Sequence, residues 1–297
     1  MTTKQQKETQ AYFRKFAEEW GMKAEDRNFE SFNLIRERND FVLSVAKENA
    51  PVRSFLDVGC GTGDLVVQAA KLGIPSVGVD FAEEMIEQAT LKMKKESGIK
   101  ADFVHASIFD FSMGNEEYDL ISANGFIEYI SYEELELFFE MVARGLKRGG
   151  SFVCGSRNRL FNLFSLNEYT SQEIDSGAAE MLLTEAVRWS VSQNIEEALH
   201  DVKIAPLQDR EIKHPGTGVE VNTRFQYTPA QLIRKLAERG LKPIEIYPVN
   251  IHGVTPKTKD AHNDIYALIA NMLQSFGRNN TQMLTQASTF MLHVRKV

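Results

Sequence analysis

The chain has 297 residues, of which 43% are hydrophobic and 25% charged, a composition typical of a soluble globular protein and not of a disordered or fibrous one. Its 34 Lys and Arg against 41 Asp and Glu give a formal charge of −7, which argues against general nucleic-acid binding. Two cysteines are too few for a disulfide scaffold, and neither a signal-peptide core nor a membrane-spanning apolar run is present, so we expect a cytoplasmic protein with no membrane contact.

Two helical stretches are predicted ahead of the first strand, within residues 9 to 49. The first carries four aromatic side chains, Tyr12, Phe13, Phe16 and Trp20, and the second carries apolar residues at mixed helical spacing. An aromatic stripe of this kind is typical of core packing.

From Ser54 onward, short apolar runs alternate with amphipathic stretches. The pattern predicts strands at 55–58, 76–80, 101–106, 118–123 and 151–155, and helices at 64–72, 82–95 and 132–146. Strands that alternate with helices in this way predict a parallel sheet with right-handed crossovers.

The alternation stops after Gly155 for about seventy residues, which we interpret as one insertion. Within it, residues 170–208 are predicted to be mostly helical. The regular pattern then resumes with a helix at 228–238, a strand at 241–251, a helix-prone excursion at 254–288 and a last strand at 290–297. The fold class that follows is α/β, with a doubly wound, mostly parallel seven-stranded sheet and an inserted helical segment.

Three glycines at every second position, Gly59, Gly61 and Gly63, follow Asp57 between a predicted strand and a predicted helix. Glycines let the backbone approach a ligand closely, and the helix that follows points its N-terminus at that ligand. A dinucleotide fingerprint would need glycine where Asp64 stands, and a phosphate-binding P-loop would need a following Gly-Lys-Ser or Gly-Lys-Thr. The loop therefore indicates a ligand site of another type rather than an ordinary turn.

A second acidic residue, Asp80, stands at the end of the second predicted strand. A carboxylate at this position can accept hydrogen bonds from both hydroxyls of a ribose. Asp is also a common helix N-cap. Together with the glycine loop, ligand binding is the favoured interpretation.

On these residues the sequence resembles the class I S-adenosylmethionine-dependent methyltransferases, through most of residues 54–155 and again at 228–251. Small-molecule methyltransferases of the ubiquinone-biosynthesis type are the nearest in character. The resemblance implies a Rossmann-like fold and S-adenosylmethionine as cofactor. The cofactor-binding residues that it implies are Asp57, Gly59, Gly61, Gly63, Asp80, Phe81, Met85, Ser107, Ile108 and Asn124.

The resemblance also assigns these residues to parts of the cofactor. The glycine loop with Asp57 would surround the methionine part, and Asp80 would hold the ribose. Phe81 and Met85 would lie near the adenine, whose edge would meet Ser107 and Ile108.

Two positions depart from the usual pattern of the family. Ser107 stands where most members have Asp, and a hydroxyl binds the adenine amino group more weakly than a carboxylate does. Tyr129, in the segment Asn124–Ile130 that resembles the fourth motif, stands where many relatives have His.

The chain is longer than the regular alternation of strands and helices requires, and we assign the additional residues to segments that cover the site. We predict an N-terminal helical lid at 1–50, a cofactor-binding core at 51–156 and 227–297, and an inserted substrate cap at 157–226. In this scheme Tyr12, on the lid, would contact the substrate.

Methyl transfer from a sulfonium is an in-line displacement, so the protein must align donor and acceptor and take up a proton from an alcohol or phenol. The candidate bases are Tyr129, His214 and His252, although such residues more often line a pocket, lie on the surface or sit in the core. The six histidines form no short paired motif, so we predict no metal.

Arginines beside the predicted active-site edge are candidate substrate ligands. Arg157 and Arg159 could each pair with a carboxylate or phosphate, or could belong to a basic turn that pairs with acidic residues of the chain. Arg224 could enter the pocket or buttress a loop.

The expected activity is O-methylation of a small polar molecule: a sugar, a glycan precursor or a natural-product intermediate. N-methylation of a small molecule is the first alternative, and a non-catalytic partner subunit of the same fold is the second. Nicotinamide-dependent oxidoreduction is disfavoured by Asp64. A homodimer is compatible with the sequence.

Overall fold

In the computed structural model, residues 9, 32–49, 51–208, 225–278 and 280–297 are described. Seven strands form one sheet in the order β3-β2-β1-β4-β5-β7-β6. Strands β1 to β5 run parallel, whereas β7 lies antiparallel between β5 and β6. The predicted doubly wound, mostly parallel seven-stranded sheet is therefore confirmed.

The strands are β1 (Phe55–Val58), β2 (Ser76–Asp80), β3 (Ala101–His105), β4 (Tyr118–Ala123), β5 (Leu146–Arg157), β6 (Leu241–Ile251) and β7 (Ala287–Lys296). The α-helices are Leu34–Glu48, Asp64–Lys71, Glu83–Met93, Tyr132–Gly145, Asn162–Ser165, Glu168–Asp175, Ala179–Val191, Ile195–Leu199, Pro229–Ala237, Pro256–Ala261 and Asn263–Gln274. Within the described ranges, no helix is both long and apolar enough to cross a bilayer.

The core lies on both faces of the central strands. All four residues of β1 are buried, as a parallel strand covered by helices on both sides requires. On one face Phe138 and Phe139 pack edge-on against Phe152 of β5. On the other, Phe41 of the first described helix stacks on Tyr247 of β6, with 5.1 Å between the ring centroids. These layers hold the strand ends of the sheet in fixed positions.

Two predicted strands begin at other residues in the structure. Strand β5 begins at Leu146, not at residue 151, because its pairing with β4 continues through a register irregularity that Gly149 permits at φ +75°. Strand β7 begins at Ala287, before the predicted 290. The segment 170–208 holds three separate helices, and its last residues, 202–208, are not helical. The segment is thus mostly helical, as predicted, although helical periodicity does not show where each helix ends.

The inserted segment leaves and rejoins the core at one place. Asn158 and Tyr227 form a parallel bridge, in which Arg159 N–H donates to the Tyr227 carbonyl over 3.0 Å and Tyr227 N–H donates to the Arg157 carbonyl over 3.2 Å. The ends of the insertion are therefore adjacent at the carboxyl end of β5.

A buried polar network organises this segment. Arg159 is 2% exposed and forms a bidentate ion pair with Glu173, with Nη2 to Oε2 at 2.7 Å and Nε to Oε1 at 3.0 Å. Asn162 and Gln208 donate to the same carboxylate over 2.8 and 2.9 Å. The insertion is thus packed through its own charged and amide side chains.

Candidate cofactor and acceptor site

A cavity of about 760 Å³ opens at the carboxyl ends of the central strands. Its walls come from the segments that follow β1, β2, β3 and β4 and from the helix Leu34–Glu48. Ligands in open α/β sheets bind at this edge, where the strand order reverses, and here the reversal lies between β1 and β4.

The glycine loop forms the floor of the cavity. Gly63 adopts φ +76°, and a Cβ there would lie 2.6 Å from the Phe103 ring, so its role is close packing of the loop on β3. A Cβ on Gly61 would meet only the Met85 sulfur, at 4.0 Å, and Gly61 lines the cavity. The backbone at Gly61 therefore leaves room for a bound group.

Asp80 is held at the tip of β2 by that same loop. Its Oδ2 accepts from Gly61 N–H and its Oδ1 from Ala82 N–H, each over 2.9 Å. The residue is 7% exposed; burial raises the pKa of the carboxyl, against the lowering effect of these two hydrogen bonds and of His105. Each carboxylate oxygen has a second lone pair, so a fixed Asp80 carboxylate can also accept from two vicinal hydroxyls. This arrangement fits the ribose of S-adenosylmethionine.

Asp57 is a second buried carboxylate beside the loop. It is 3% exposed, and Ser122 Oγ donates to its Oδ1 over 2.5 Å. Burial raises the pKa of Asp57 to about 7, with a further contribution from the nearby Asp80 charge, although the Ser122 hydrogen bond lowers it. A buried acid of this kind favours a cationic group next to it, which the sulfonium and ammonium groups of the cofactor provide.

The adenine-side residues also line the cavity. Phe81, Met85 and Ile108 supply apolar surface. Ser107 Oγ accepts from Phe109 N–H over 3.3 Å. Asp110, two residues further on, is a carboxylate in the same wall.

The segment after β4 forms the opposite wall. Asn124 and Tyr129 lie there, and Asn124 Nδ2 reaches Asn39 Oδ1 at 3.5 Å. The structure thus brings nine of the ten predicted cofactor residues and Tyr129 around one cavity. The tenth, Gly63, packs on Phe103 and does not line the cavity. The individual roles of these residues stay predictions.

Several polar residues of the wall were not predicted from the sequence, among them Arg38, Asn39 and Glu128. Arg38 lies on the buried face of its helix, three residues after Ile35 and three before Phe41. An arginine at core spacing was the signal that could have identified it. Glu128 carried a weaker signal, an acid between the apolar residues Ile127 and Tyr129.

Other predicted residues lie elsewhere. Within the described part of the chain, Arg157, Arg159 and His252 are absent from the cavity wall. Arg159 is engaged with Glu173, because a buried guanidinium requires a compensating charge. His252 is packed on Phe161, and its Nε2 lies 3.0 Å from the Tyr266 hydroxyl.

Three further predictions, Tyr12, His214 and Arg224, fall outside the described residues. Their assigned roles therefore stay predictions.

Comparisons with known proteins add to this geometry. A family model described as a methyltransferase domain matches residues 55–150. The ubiquinone biosynthesis O-methyltransferase of Bartonella quintana (strain Toulouse) is 30% identical over 176 residues, which cover 56% of this chain and 69% of that protein. The protein of the same name from Chelativorans sp. (strain BNC1) is 28% identical over 155 residues, which cover 50% of this chain and 60% of that protein. The match thus spans less than two thirds of the Chelativorans relative.

A solved structure shares the fold over nearly its whole length. Magnesium protoporphyrin IX methyltransferase from Synechocystis PCC 6803, crystallised with S-adenosylhomocysteine, has a TM-score of 0.55 at 14% identity, with coverage of 97% of this chain and 98% of that chain. The predicted family and the predicted cofactor, S-adenosylmethionine, are confirmed. The glycine loop, the Asp80 site and these relatives agree, and the chain belongs to the class I S-adenosylmethionine-dependent methyltransferases.

Proposed function

We propose that the protein transfers the methyl group of S-adenosylmethionine to a hydroxyl oxygen of a small, uncharged molecule. The observation that carries this proposal is the Asp80 carboxylate, held by Gly61 and Ala82 in a cavity that continues to the segment after β4. The O-methyltransferase names of the two relatives support transfer to oxygen.

When bound, the cofactor supplies an electrophilic methyl group on a positively charged sulfur. Asp80 would accept from the ribose hydroxyls, and Asp57 with the glycine loop would hold the methionine end. Arg38, buried at the cavity wall, has the charge to pair with the cofactor carboxylate. The adenine would lie between Phe81, Met85 and Ile108.

The charge of the cavity bears on the acceptor. Among the described residues, the wall has six carboxylic side chains, Asp57, Asp64, Asp80, Asp110, Glu128 and Glu134. Arg38 and His105 are the basic side chains of the same described wall. An anionic acceptor would meet this acidic surface at an electrostatic cost, so we propose an uncharged hydroxyl compound instead.

The acidic wall also favours a second candidate, N-methylation of an amine. An amine can bind an acidic site as a cation and must lose a proton before it attacks. The two candidates differ in the product, which carries an O-methyl or an N-methyl group. Nuclear magnetic resonance of the purified product distinguishes them by the methyl carbon shift.

The insertion at 157–226 is proposed to cover the acceptor. Its described ends meet at the bridge between Asn158 and Tyr227, directly beside the segment after β4. The helix Leu34–Glu48 is proposed as part of the N-terminal lid, since Leu34, Ile35, Arg38 and Asn39 line the cavity.

Two measurements test the proposal. Calorimetric titration with S-adenosylhomocysteine should give saturable binding that Asp80→Ala weakens. Tritiated methyl transfer from S-adenosylmethionine should then label catechol, a simple phenolic acceptor, or a component of a filtered small-molecule cell extract.

The alternatives give different results. Binding of S-adenosylhomocysteine with no transfer to either acceptor source would indicate a non-catalytic subunit. Binding of NADH in its place would contradict the cofactor site itself.

A further inference from the structure

Glu128 is a buried carboxylate in the cavity wall that the cofactor assignment leaves without a role. It is 1% exposed and lies in the short turn Ile127–Tyr129 after β4. Burial of a carboxylate is costly, so such a residue in a cleft has a structural or a chemical function.

Both ends of the insertion fix the position of Glu128. The N–H of Arg157 donates to its Oε2 over 3.2 Å, and the N–H of Phe225 donates to its carbonyl over 2.8 Å. Arg157 is the first residue of the insertion and Phe225 lies near its end. Glu128 is therefore fixed from both ends of the segment proposed to cover the acceptor, at its carboxylate by Arg157 and at its main-chain carbonyl by Phe225.

The strand order places Glu128 on the acceptor side of the cavity. Apart from Asn124, the cofactor residues lie at or after the carboxyl ends of β3, β2 and β1, which are neighbours in the sheet. The next strand beyond β1 is β4. A cofactor that runs from the end of β3 to the glycine loop after β1 therefore presents its reactive end toward the segment after β4. Glu128 and Tyr129 belong to that segment.

We propose that Glu128 is the catalytic base, which takes the proton from the acceptor hydroxyl as that oxygen is methylated; this proposal rests on the proposed function. The O–H bond breaks, and its proton goes to a Glu128 carboxylate oxygen. The acceptor oxygen uses the freed electron pair to form the new bond to the methyl carbon. The bond from that carbon to sulfur breaks, and its electron pair stays on sulfur, which becomes neutral.

Glu128 suits this task better than the bases that the sequence suggested. A phenol such as that of Tyr129 is protonated at neutral pH, whereas a carboxylate is the ordinary basic form of an acidic side chain. His252 is packed on Phe161 and is not part of the described cavity wall. Glu128 has a carboxylate that can accept a proton, and it lines the cavity.

The test compares Glu128→Gln with the wild-type protein. Glutamine keeps the length of the side chain and an oxygen that can accept from Arg157 N–H, but it cannot take a proton. Glu133→Gln is the matched control, because Glu133 is exposed in the first turn of the helix Tyr132–Gly145 and does not line the cavity. Tritiated methyl transfer to catechol, or to the filtered extract if catechol is not labelled, measures kcat and KM across pH.

The expected result is a fall in kcat of about 100-fold or more for Glu128→Gln, the usual contribution of general-base catalysis. KM and S-adenosylhomocysteine affinity should be unchanged, and Glu133→Gln should behave as wild type. In the wild type kcat should rise with pH through one ionisation, because the base must be deprotonated. That ionisation should be absent from Glu128→Gln and retained by Glu128→Asp, at a lower kcat.

The failures are distinguishable. Wild-type protein that labels neither catechol nor the extract overturns the proposed function, and the role of Glu128 with it. Transfer by Glu128→Gln with wild-type kcat and pH profile overturns the Glu128 proposal alone. If Glu128→Gln does not bind S-adenosylhomocysteine, Glu128→Asp decides: loss of the pH-dependent limb in that folded variant also overturns the proposal.

Discussion

Charged side chains serve different purposes in two regions at the carboxyl edge of the sheet. In the cofactor half, the Asp80 carboxylate accepts from the main-chain N–H groups of Gly61 and Ala82 and lines the cavity. In the insertion, Arg159 and Glu173 are bound to each other and to neighbouring amides. The Asp80 carboxylate can therefore bind a ligand, whereas the charges of Arg159 and Glu173 neutralise each other inside the insertion.

This difference shows why residue type alone is a poor guide to a binding site. Asp80 ends β2 and Arg159 follows β5 of the same sheet, and both residues are buried. The two residues differ in their hydrogen-bond partners. Main-chain N–H groups hydrogen-bond a carboxylate and leave its charge in place, whereas a bidentate ion pair both hydrogen-bonds the carboxylate and neutralises its charge. Four predictions test this contrast.

The largest expected effect is on stability in the insertion. Arg159→Ala would leave Glu173 buried without its counter-charge, and such a loss costs about 3–5 kcal/mol in free energy of unfolding. Denaturant unfolding measures the loss. The double variant Arg159→Met with Glu173→Leu should recover most of it, because an apolar pair of similar volume carries no desolvation cost.

The same variants test the contrast directly. In the folded protein, Arg159→Ala should leave S-adenosylhomocysteine affinity unchanged. A large loss of affinity with little loss of stability would show that Arg159 serves the ligand and not the packing of the insertion.

The next effect is on cofactor binding. Asp80→Ala should weaken S-adenosylhomocysteine binding by about 1–3 kcal/mol, the usual cost of removing a buried charged hydrogen-bond partner. Calorimetric titration measures this change, with Asp80→Asn as the control that keeps one acceptor oxygen and the side-chain volume. An unchanged titration for Asp80→Ala would place the ribose elsewhere.

The cofactor site and the insertion also differ in how much of each could be predicted from the sequence. The glycine loop and Asp80 are close in sequence to the strands that position them, so their spacing predicted a ligand site. Arg38 lies 19 residues before Asp57 in the sequence and Glu128 lies 71 residues after it. Only the packed sheet shows that both reach the same cavity. The sequence does not show the ion-pair partner of Arg159 either, because Glu173 lies in a separate helix.

The third effect is a pH dependence of cofactor affinity. Because the pKa of Asp57 is raised to about 7, a bound cation must displace a proton below that pH. Affinity for S-adenosylhomocysteine should fall by up to about tenfold per pH unit below about 7. Asp57→Asn should flatten this profile, and a wild-type affinity that is constant across the same range would contradict the assigned contact.

Asp57 should affect the stability of the ligand-free protein in the opposite direction, so that stability falls as pH rises. A folded-state pKa above the unfolded value of about 3.9 means that the folded protein retains the proton longer. The contribution of Asp57 to the stability of the ligand-free protein is therefore lost as pH rises from about 4 to about 7. Thermal unfolding of Asp57→Asn should lack this part of the pH dependence.

The smallest expected effect concerns the adenine, where the cofactor half departs from its family. Ser107 offers a hydroxyl that already accepts from Phe109 N–H, whereas a carboxylate would make a charge-assisted hydrogen bond to the adenine amino group. Ser107→Asp should therefore tighten S-adenosylhomocysteine binding by about 1 kcal/mol, the usual difference between charged and neutral hydrogen bonds. S-inosylhomocysteine, which has no 6-amino group, should show no gain. Equal gains for both compounds would mean that the new charge acts on the whole cofactor, and no gain for either would mean that Asp110, in the same wall, already supplies the carboxylate.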